Sequence, residues 1–427
     1  MLISFSVENY RSIRTRQTLD MRATMFREHE DALIMKGKRC KLLPMSVFYG
    51  ANSSGKSNML SAIGAMRHIV LSSVKLNPGD KLHYDPFALL VGSDCQPTEF
   101  EIEFFIDDDQ YRYGFIYDRM SIQEEWLYEK RYGEKEIQLF ERKGSEIVTA
   151  PVRFAEGKGM KNAIVDNRLF LSLVAQLNGE LSKKIIRWFK NLRVLSGLGG
   201  SYEGFASMML SQESELSKKA MQLMRRLELG FDDIKVEERE LDDVYLQEQE
   251  VPEQLRKKIL EQIGGKKVQE TFTVHTIKDK DGKEVGKRKF KESEMESEGT
   301  KKVIMMSCLI VETLSKGTTL VVDEFEAKLH PILSRALVNL FMNKETNPHG
   351  AQLIFSSHDV VLLDPKFLRR DQIWMMEKND LDSSVLKRLS GIKDDKGAKI
   401  RNDRNIQKDY LTGGLGGVPE IEGLCKK

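Results

Sequence analysis

The stretch FYGANSSGKSN, residues Phe48–Asn58, decides how the rest of the chain is read. Gly50 to Ser57 fits the pattern G-x-x-x-x-G-K-[ST] without a mismatch. Val47, Phe48 and Tyr49 form a short apolar run that predicts a buried strand before the loop. Leu60, Ile63, Ile69 and Val70 recur at helical spacing, which predicts a helix over 56–72. Strand, glycine loop and helix together make a phosphate cradle. The glycines let backbone N–H groups face the phosphates, and the helix adds its positive end. Gly50, Ser53, Ser54, Gly55, Lys56 and Ser57 are the candidate nucleotide contacts. Lys56 is expected to reach the β- and γ-phosphates and the Ser57 hydroxyl to bind Mg²⁺. A loop of this kind serves many machines, so it does not settle the function by itself.

A second carboxylate for Mg²⁺ is supplied by TTLVVDEFEAKLHP, residues 318–331. Four apolar or β-branched residues predict a strand, and Asp323 stands at its carboxyl end, where sheets of this kind bind ligands. Mg²⁺ prefers few carboxylates plus phosphate oxygens. Glu324 follows directly, placed to act as general base toward an attacking water. The next predicted strand ends in IFSSHD, and His358 there can contact a γ-phosphate or orient the water. Upstream, Ser297, Glu298, Gly299 and Thr300 form a small polar turn at a helix start. That turn reads equally as an anion site or as an ordinary helix cap.

The wider chain is consistent with a large soluble α/β protein. It has 427 residues, 40% of them hydrophobic and 31% charged, with a formal charge of +2. So balanced a charge gives no global case for nucleic acid or membrane. Cys40, Cys95, Cys308 and Cys425 are far apart and form no CxxC pair, which argues against a zinc or disulfide framework. The N-terminus, MLISFSVENYRS, is not read as a signal peptide, and the apolar run Val303–Leu314 is too short to span a bilayer. The expected location is cytoplasmic.

Residues 2–8 alternate as a strand, and residues 100–140 read as antiparallel β structure around a turn at Asp107–Asp109. Residues 179–264 read as largely helical, with eight acids against one base from Glu237 to Glu253. Residues 270–291 read as a hairpin turning at Asp281-Gly282. Its second arm, 278–291, carries seven Lys or Arg against three acids. That arm is either a solubilising edge or a patch for nucleic acid or an acidic partner. After Glu298 the α/β pattern returns, with helices at 300–315 and 331–343, strands at 320–322, 353–355 and 373–376, and a polar tail.

The ordered set GANSSGKS, ESEGTKK, LVVDE and SSHD resembles the ATP-binding-cassette (ABC) class of ATPases: Walker A, signature, Walker B with its catalytic Glu, and switch His. The opening ISFSVENYRSI, the segment DEFEAKLHP and the tail RNDRNIQKDYLTGGLGGVP resemble soluble SMC-like and OLD-like members. Overall the chain is similar to the AAA-family ATPases of bacterial anti-phage and abortive-infection systems, RloA-, AbiL- and AriA-like. The resemblance implies an α/β fold, an ABC ATPase head (P-loop NTPase) with an antiparallel β subdomain and a helical insertion. The expected divisions are 1–178, 179–296 and 297–427. It implies Mg-dependent ATP hydrolysis, with Glu324 as base, His358 as switch and Asp323 supporting Mg²⁺. Ser297 and Gly299 would contact the ATP of a second subunit, Asn52 and Asn58 would make contacts beside the loop, and Arg11 would lie near phosphate. Gln176, after the β region, is the candidate Q-loop residue for ATP and Mg²⁺; a core or surface helix residue is the competing reading. Glu298, Thr300 and Lys328 depart from the well-known transporter pattern.

Three functions follow. One is an ATP-dependent homodimer, or larger assembly, that acts as sensor or scaffold for a separate nuclease or toxin effector. Another is a DNA-maintenance ATPase using the arm 278–291. The third is an ATP-gated binding module with negligible turnover.

Overall fold

A computed structural model describes residues 1–37, 40–150, 152–160, 163–196, 203–392 and 404–415. Cys425 and the two ends of the tail resemblance, 401–403 and 416–419, lie outside the described residues. The chain forms two compact units: 1–198 with 316–327 and 335–427, and 199–315 with 328–334.

The first unit is built on a six-stranded sheet. Its order is Arg193–Ser196, Thr319–Asp323, Gln352–Ser356, Met45–Tyr49, Ile373–Lys378 and Ser384–Arg388. The first four pairings are parallel and the last is antiparallel. Strands Met45–Tyr49 and Gln352–Ser356 are buried along their whole length, as parallel strands covered on both faces must be. The helix Lys56–Ser72 packs on the strands Thr319–Asp323 and Gln352–Ser356, and also on Leu2–Glu8 and the helix Glu180–Asn191.

A second, seven-stranded sheet of this unit is antiparallel. It carries Leu2–Glu8 and the expected β region from Thr98–Ile106 to Ile137–Lys143. Phe48, Met59, Phe100, Tyr113 and Val321 belong to one continuous apolar core, so the helix and both sheets share it. A polar stitch joins the two sheets. The buried Gln352 side chain accepts from Leu2 N (2.6 Å) and donates to Leu2 O (2.9 Å) and Leu43 O (3.2 Å).

The second unit holds a three-stranded antiparallel sheet, Asp233–Glu240, Lys267–Lys278 and Glu284–Lys291. Met224, Phe231, Ile304 and Cys308 are part of its core. The expected hairpin at 270–291 is present with its turn at Asp279–Gly282.

Three expectations need correction. The stretch 179–264 is not all helix: Asp233–Glu240 is a strand, and Arg193–Ser196 is the edge of the parallel sheet. The acidic run hid the strand because its side chains answer charges rather than a core. Glu237 pairs with Lys289 (2.5 Å), Glu238 with Lys267 (2.8 Å) and Asp232 with Lys287 (3.8 Å). The polar tail contains the strand Ser384–Arg388 and the helix Ile406–Leu411. The expected limits at 178/179 and 296/297 also differ from those of the units. The helix Glu180–Asn191 belongs to the first unit, and residues 297–315 to the second. Among the described residues no helix is long and apolar enough to cross a membrane.

Replacing Gln352 by Leu strands the Leu2 backbone pair without partners in a dry place. The expected loss is about 1–3 kcal/mol of stability, read as a lower urea midpoint at unchanged slope.

Candidate functional site

The loop after Met45–Tyr49 turns on two glycines that nothing else could replace. A Cβ at Gly50 would lie 2.3 Å from the Met376 carbonyl oxygen, and one at Gly55 would lie 2.1 Å from Ser384 Oγ. Gly55 also sits at φ 108°, where L side chains are strained. The helix begins at Lys56, whose ammonium curls beneath its own loop and donates to Gly50 O (2.8 Å) and Ala51 O (3.0 Å). Burial lowers the Lys56 pKa, while Asp323, Glu324 and Glu326 pull it back up. Asn52, Ser53 and Ser57 are exposed, so the outer side of the loop is open to a ligand. Ser54 Oγ is buried with no hydrogen-bond partner among the described residues.

Behind the loop lies a brace that the sequence did not reveal. Ser384 Oγ donates to Ser54 O (2.7 Å), and Asn58 Nδ2 donates to Ser12 Oγ (2.7 Å). Ser12 and Ser384 also touch each other (2.8 Å). Asn58 is therefore placed on this brace. Arg11 lies against the same helix, where its guanidinium bonds Asp85 (3.2 Å) and Ser61 Oγ (3.3 Å).

Two strands away, Asp323 ends its strand and Glu324 reverses the chain at φ 51°. Ser356, at the end of the neighbouring strand, ties the two together. Its hydroxyl donates to Asp323 Oδ1 and accepts from Glu324 N (2.7 Å). Phe325 fills the core against Phe355, their ring centroids 5.1 Å apart, and its N–H donates to Ser356 O (3.1 Å). His358 follows two residues after Ser356, and its N–H donates to Glu326 Oε1. Partial burial lowers the His358 pKa, Lys56 lowers it further, and Glu326, Glu324 and Asp323 oppose both. Lys56, Asp323, Glu324 and His358 are thus brought to one edge of one sheet.

This set fits a nucleotide with Mg²⁺. The buried cation and the open loop suit phosphate, while exposed Ser57 and the oriented Asp323 are the residues that would hold the ion. Glu326 and Ser356 are parts of the site that sequence reasoning missed. The third acid of DEFEA and the first serine of SSHD were the available signals.

Gln176 requires a correction. It is the exposed last residue of the helix Phe170–Gln176, whose Ser172 Oγ donates to Val70 O (2.7 Å). Val70 is fourteen residues along the helix from Lys56, about 21 Å at 1.5 Å per residue. The helix carrying Gln176 is therefore pinned at the end of the loop helix remote from the phosphates.

Ser297 and Gly299 lie in the second unit. Ser297 Oγ caps the helix Glu298–Lys316 by accepting from Thr300 N (3.1 Å). Gly299 admits the Lys328 carbonyl, which would stand 2.6 Å from a Cβ there. The turn is thus a helix cap in this structure, and the segment is also packed on 328.

Comparison with known proteins adds a family. The family described as "AAA domain, putative AbiEii toxin, Type IV TA system" matches residues 45–364. No curated protein matches in sequence. Two similar solved structures are titled "Structure of the recombination mediator protein RecF-ATPrS in RecFOR pathway" and "Structure of the recombination mediator protein RecF-ATP in RecFOR pathway". They are 11% and 12% identical, each with TM-score 0.31 over 90% of this chain, and covering 98% and 96% of their own. The family match and the sheet with its loop bear out the expected fold class: an α/β ATPase head of P-loop NTPase type with an antiparallel β subdomain.

Gly55→Ala is expected to lower the melting temperature and abolish binding of a fluorescent ATP analogue. The left-handed backbone alone costs about 1–3 kcal/mol. The His358 ring is expected to titrate below the ordinary value of about 6.5, so it is neutral at pH 7. Lys56→Met removes a charge that holds the midpoint down, and NMR titration should show it rise.

Proposed function

The chain belongs to this AAA-domain family, which matches about three quarters of it, and from that premise we propose that it is an ABC-type ATPase that closes on ATP as a homodimer and controls a separate effector. The observation that carries the reading is the convergence of Lys56, Asp323, Glu324 and His358 on one sheet edge, with Ser356 fixing the two acids. Phosphoryl transfer to water needs little covalent chemistry from the protein; positioning and charge stabilisation do most of it.

Lys56 leaves the Gly50 and Ala51 carbonyls to bind the terminal phosphates. Mg²⁺ held by Ser57 and Asp323 would supply charge neutralisation on those phosphates. Glu324 takes the proton of the attacking water, and neutral His358 donates to the γ-phosphate. Ser297 and Gly299 serve the ATP of a second copy, so binding draws two chains together and hydrolysis lets them part.

The family description names a toxin–antitoxin system, which supports a role in anti-phage defence or abortive infection. Here the chain is the sensor or regulatory subunit and the nuclease or toxin is another polypeptide. The DNA-maintenance reading loses support from the arm 278–291, because Lys289 and Lys287 already answer Glu237 and Asp232 in their own unit.

Glu324→Gln should cut phosphate release by about 10²–10⁴-fold, the usual worth of a general base. It should keep ATP binding and shift the protein to a dimer in light scattering with ATP. An unchanged rate would sink the assignment of the base. A wild type without turnover in the presence of any co-purified partner would favour the ATP-gated module. Affinity purification of the Glu324→Gln protein with ATP tests for the effector.

A further inference from the structure

We infer that Glu326 is a positioning residue for His358, tethering the switch-histidine segment to the Asp323–Glu324 turn; this rests on the ATPase reading above. The strands Thr319–Asp323 and Gln352–Ser356 are paired in parallel only as far as Val322 opposite Phe355. Beyond that point the two strands no longer pair with each other, although Asp323 still pairs with Ser196 and Ser356 with Phe48 on their other sides, and no shared ladder fixes the spacing between them. Four hydrogen bonds replace it. Ser356 Oγ holds Asp323 and the Glu324 N–H, Ser356 O holds the Phe325 N–H, and Glu326 Oε1 holds the His358 N–H. Only the last of these reaches the residue whose ring would face the γ-phosphate.

The fixed position of Glu326 follows from its neighbours. Phe325 is buried against Phe355, which anchors the turn one residue earlier. The Ala327 N–H closes the turn on Glu324 O (3.1 Å). The second carboxylate oxygen, Glu326 Oε2, is buried and has no hydrogen-bond partner among the described residues. Leaving a buried carboxylate oxygen unpaired costs free energy that an apolar residue would avoid. An acid here is therefore explained by the electrostatics of the site. Its charge acts on both Lys56 and His358, so the same group that holds the histidine backbone also senses the cation that must move to bind phosphate. Glu326 touches neither water nor phosphate in this account, so it acts through His358.

Two readouts test this. Hydrogen–deuterium exchange of the peptide over 356–360, measured without nucleotide, should quicken in Glu326→Ala. It should remain slow in Glu326→Gln, whose amide oxygen still accepts the His358 N–H. ATP turnover should fall at least tenfold in Glu326→Ala, with the dissociation constant of ATP unchanged within threefold and with partial rescue in Glu326→Gln. The double variant Glu326→Ala/His358→Ala should be no slower than His358→Ala alone. Unchanged exchange in Glu326→Ala, or losses that multiply in the double variant, would overturn the inference. A wild type without turnover would instead count against the ATPase reading, while the exchange experiment would still decide the tether.

Discussion

The site depends on the parallel pairing of three strands, Thr319–Asp323, Gln352–Ser356 and Met45–Tyr49. Because they run the same way, their carboxyl ends fall on one edge, and that edge receives Asp323, His358 and the loop to Lys56. Their register puts Val322 opposite Phe355 and Ser356 opposite Phe48. Strands buried on both faces lack the in–out alternation that usually fixes register. Polar pins do that work here. Gln352 bonds Leu2 and Leu43 at one end, and at the other the Ser357 N–H donates to Phe48 O (3.0 Å) while Ser356 holds Asp323. Such pins are strong specifiers because each, if slipped by one residue, leaves a buried polar group unpaired.

What could be read in advance was what is local. The loop, the strand ending at Asp323 and the strand ending before His358 each announce themselves within about ten residues, through an apolar run followed by its polar terminus. The order of strands in the sheet has no such signal. Nor do the braces: Ser12 and Ser384 meet across 372 positions, and although Ser12 lies in the opening segment ISFSVENYRSI, nothing there points to Ser384. The strand Ser384–Arg388 reads as tail because its residues are mixed, yet Ser384 is fully buried against the loop. Gln176 failed for a related reason. Its place after the β region was right for a Q-loop, but Ser172 commits its helix to the far end of the loop helix.

Charge in the second unit was legible only in pairs. The acids of 237–253 and the bases of 278–291 each look like a solvated face when read alone. In the sheet, the strands Asp233–Glu240 and Glu284–Lys291 flank Lys267–Lys278, and their charges meet across it. Lys291 reaches the buried Glu270 carboxylate (2.8 Å), and Arg239 approaches the same group (3.5 Å). The exposed pairs, such as Lys289 with Glu237, add little stability, but opposed charges favour one strand order and register over others.

The same logic applies to the signature. Glu298 and Lys328 both depart from the transporter pattern, the one replacing a glycine and the other standing where a small residue is common. Taken separately they are two defects. In the second unit they are partners: Lys328 Nζ lies 2.9 Å from Glu298, and Lys301 adds a contact at 3.2 Å. Lys328 adopts φ 63°, a left-handed backbone, and in that conformation its carbonyl oxygen comes against Gly299 at a distance that no side chain would allow. The glycine, the acid and the lysine therefore form one built element, in which the glycine admits the backbone and the acid answers its side chain. A substitution at either departure should be judged against the other, because the signature turn and the segment at 328 are joined by both a steric fit and a charge.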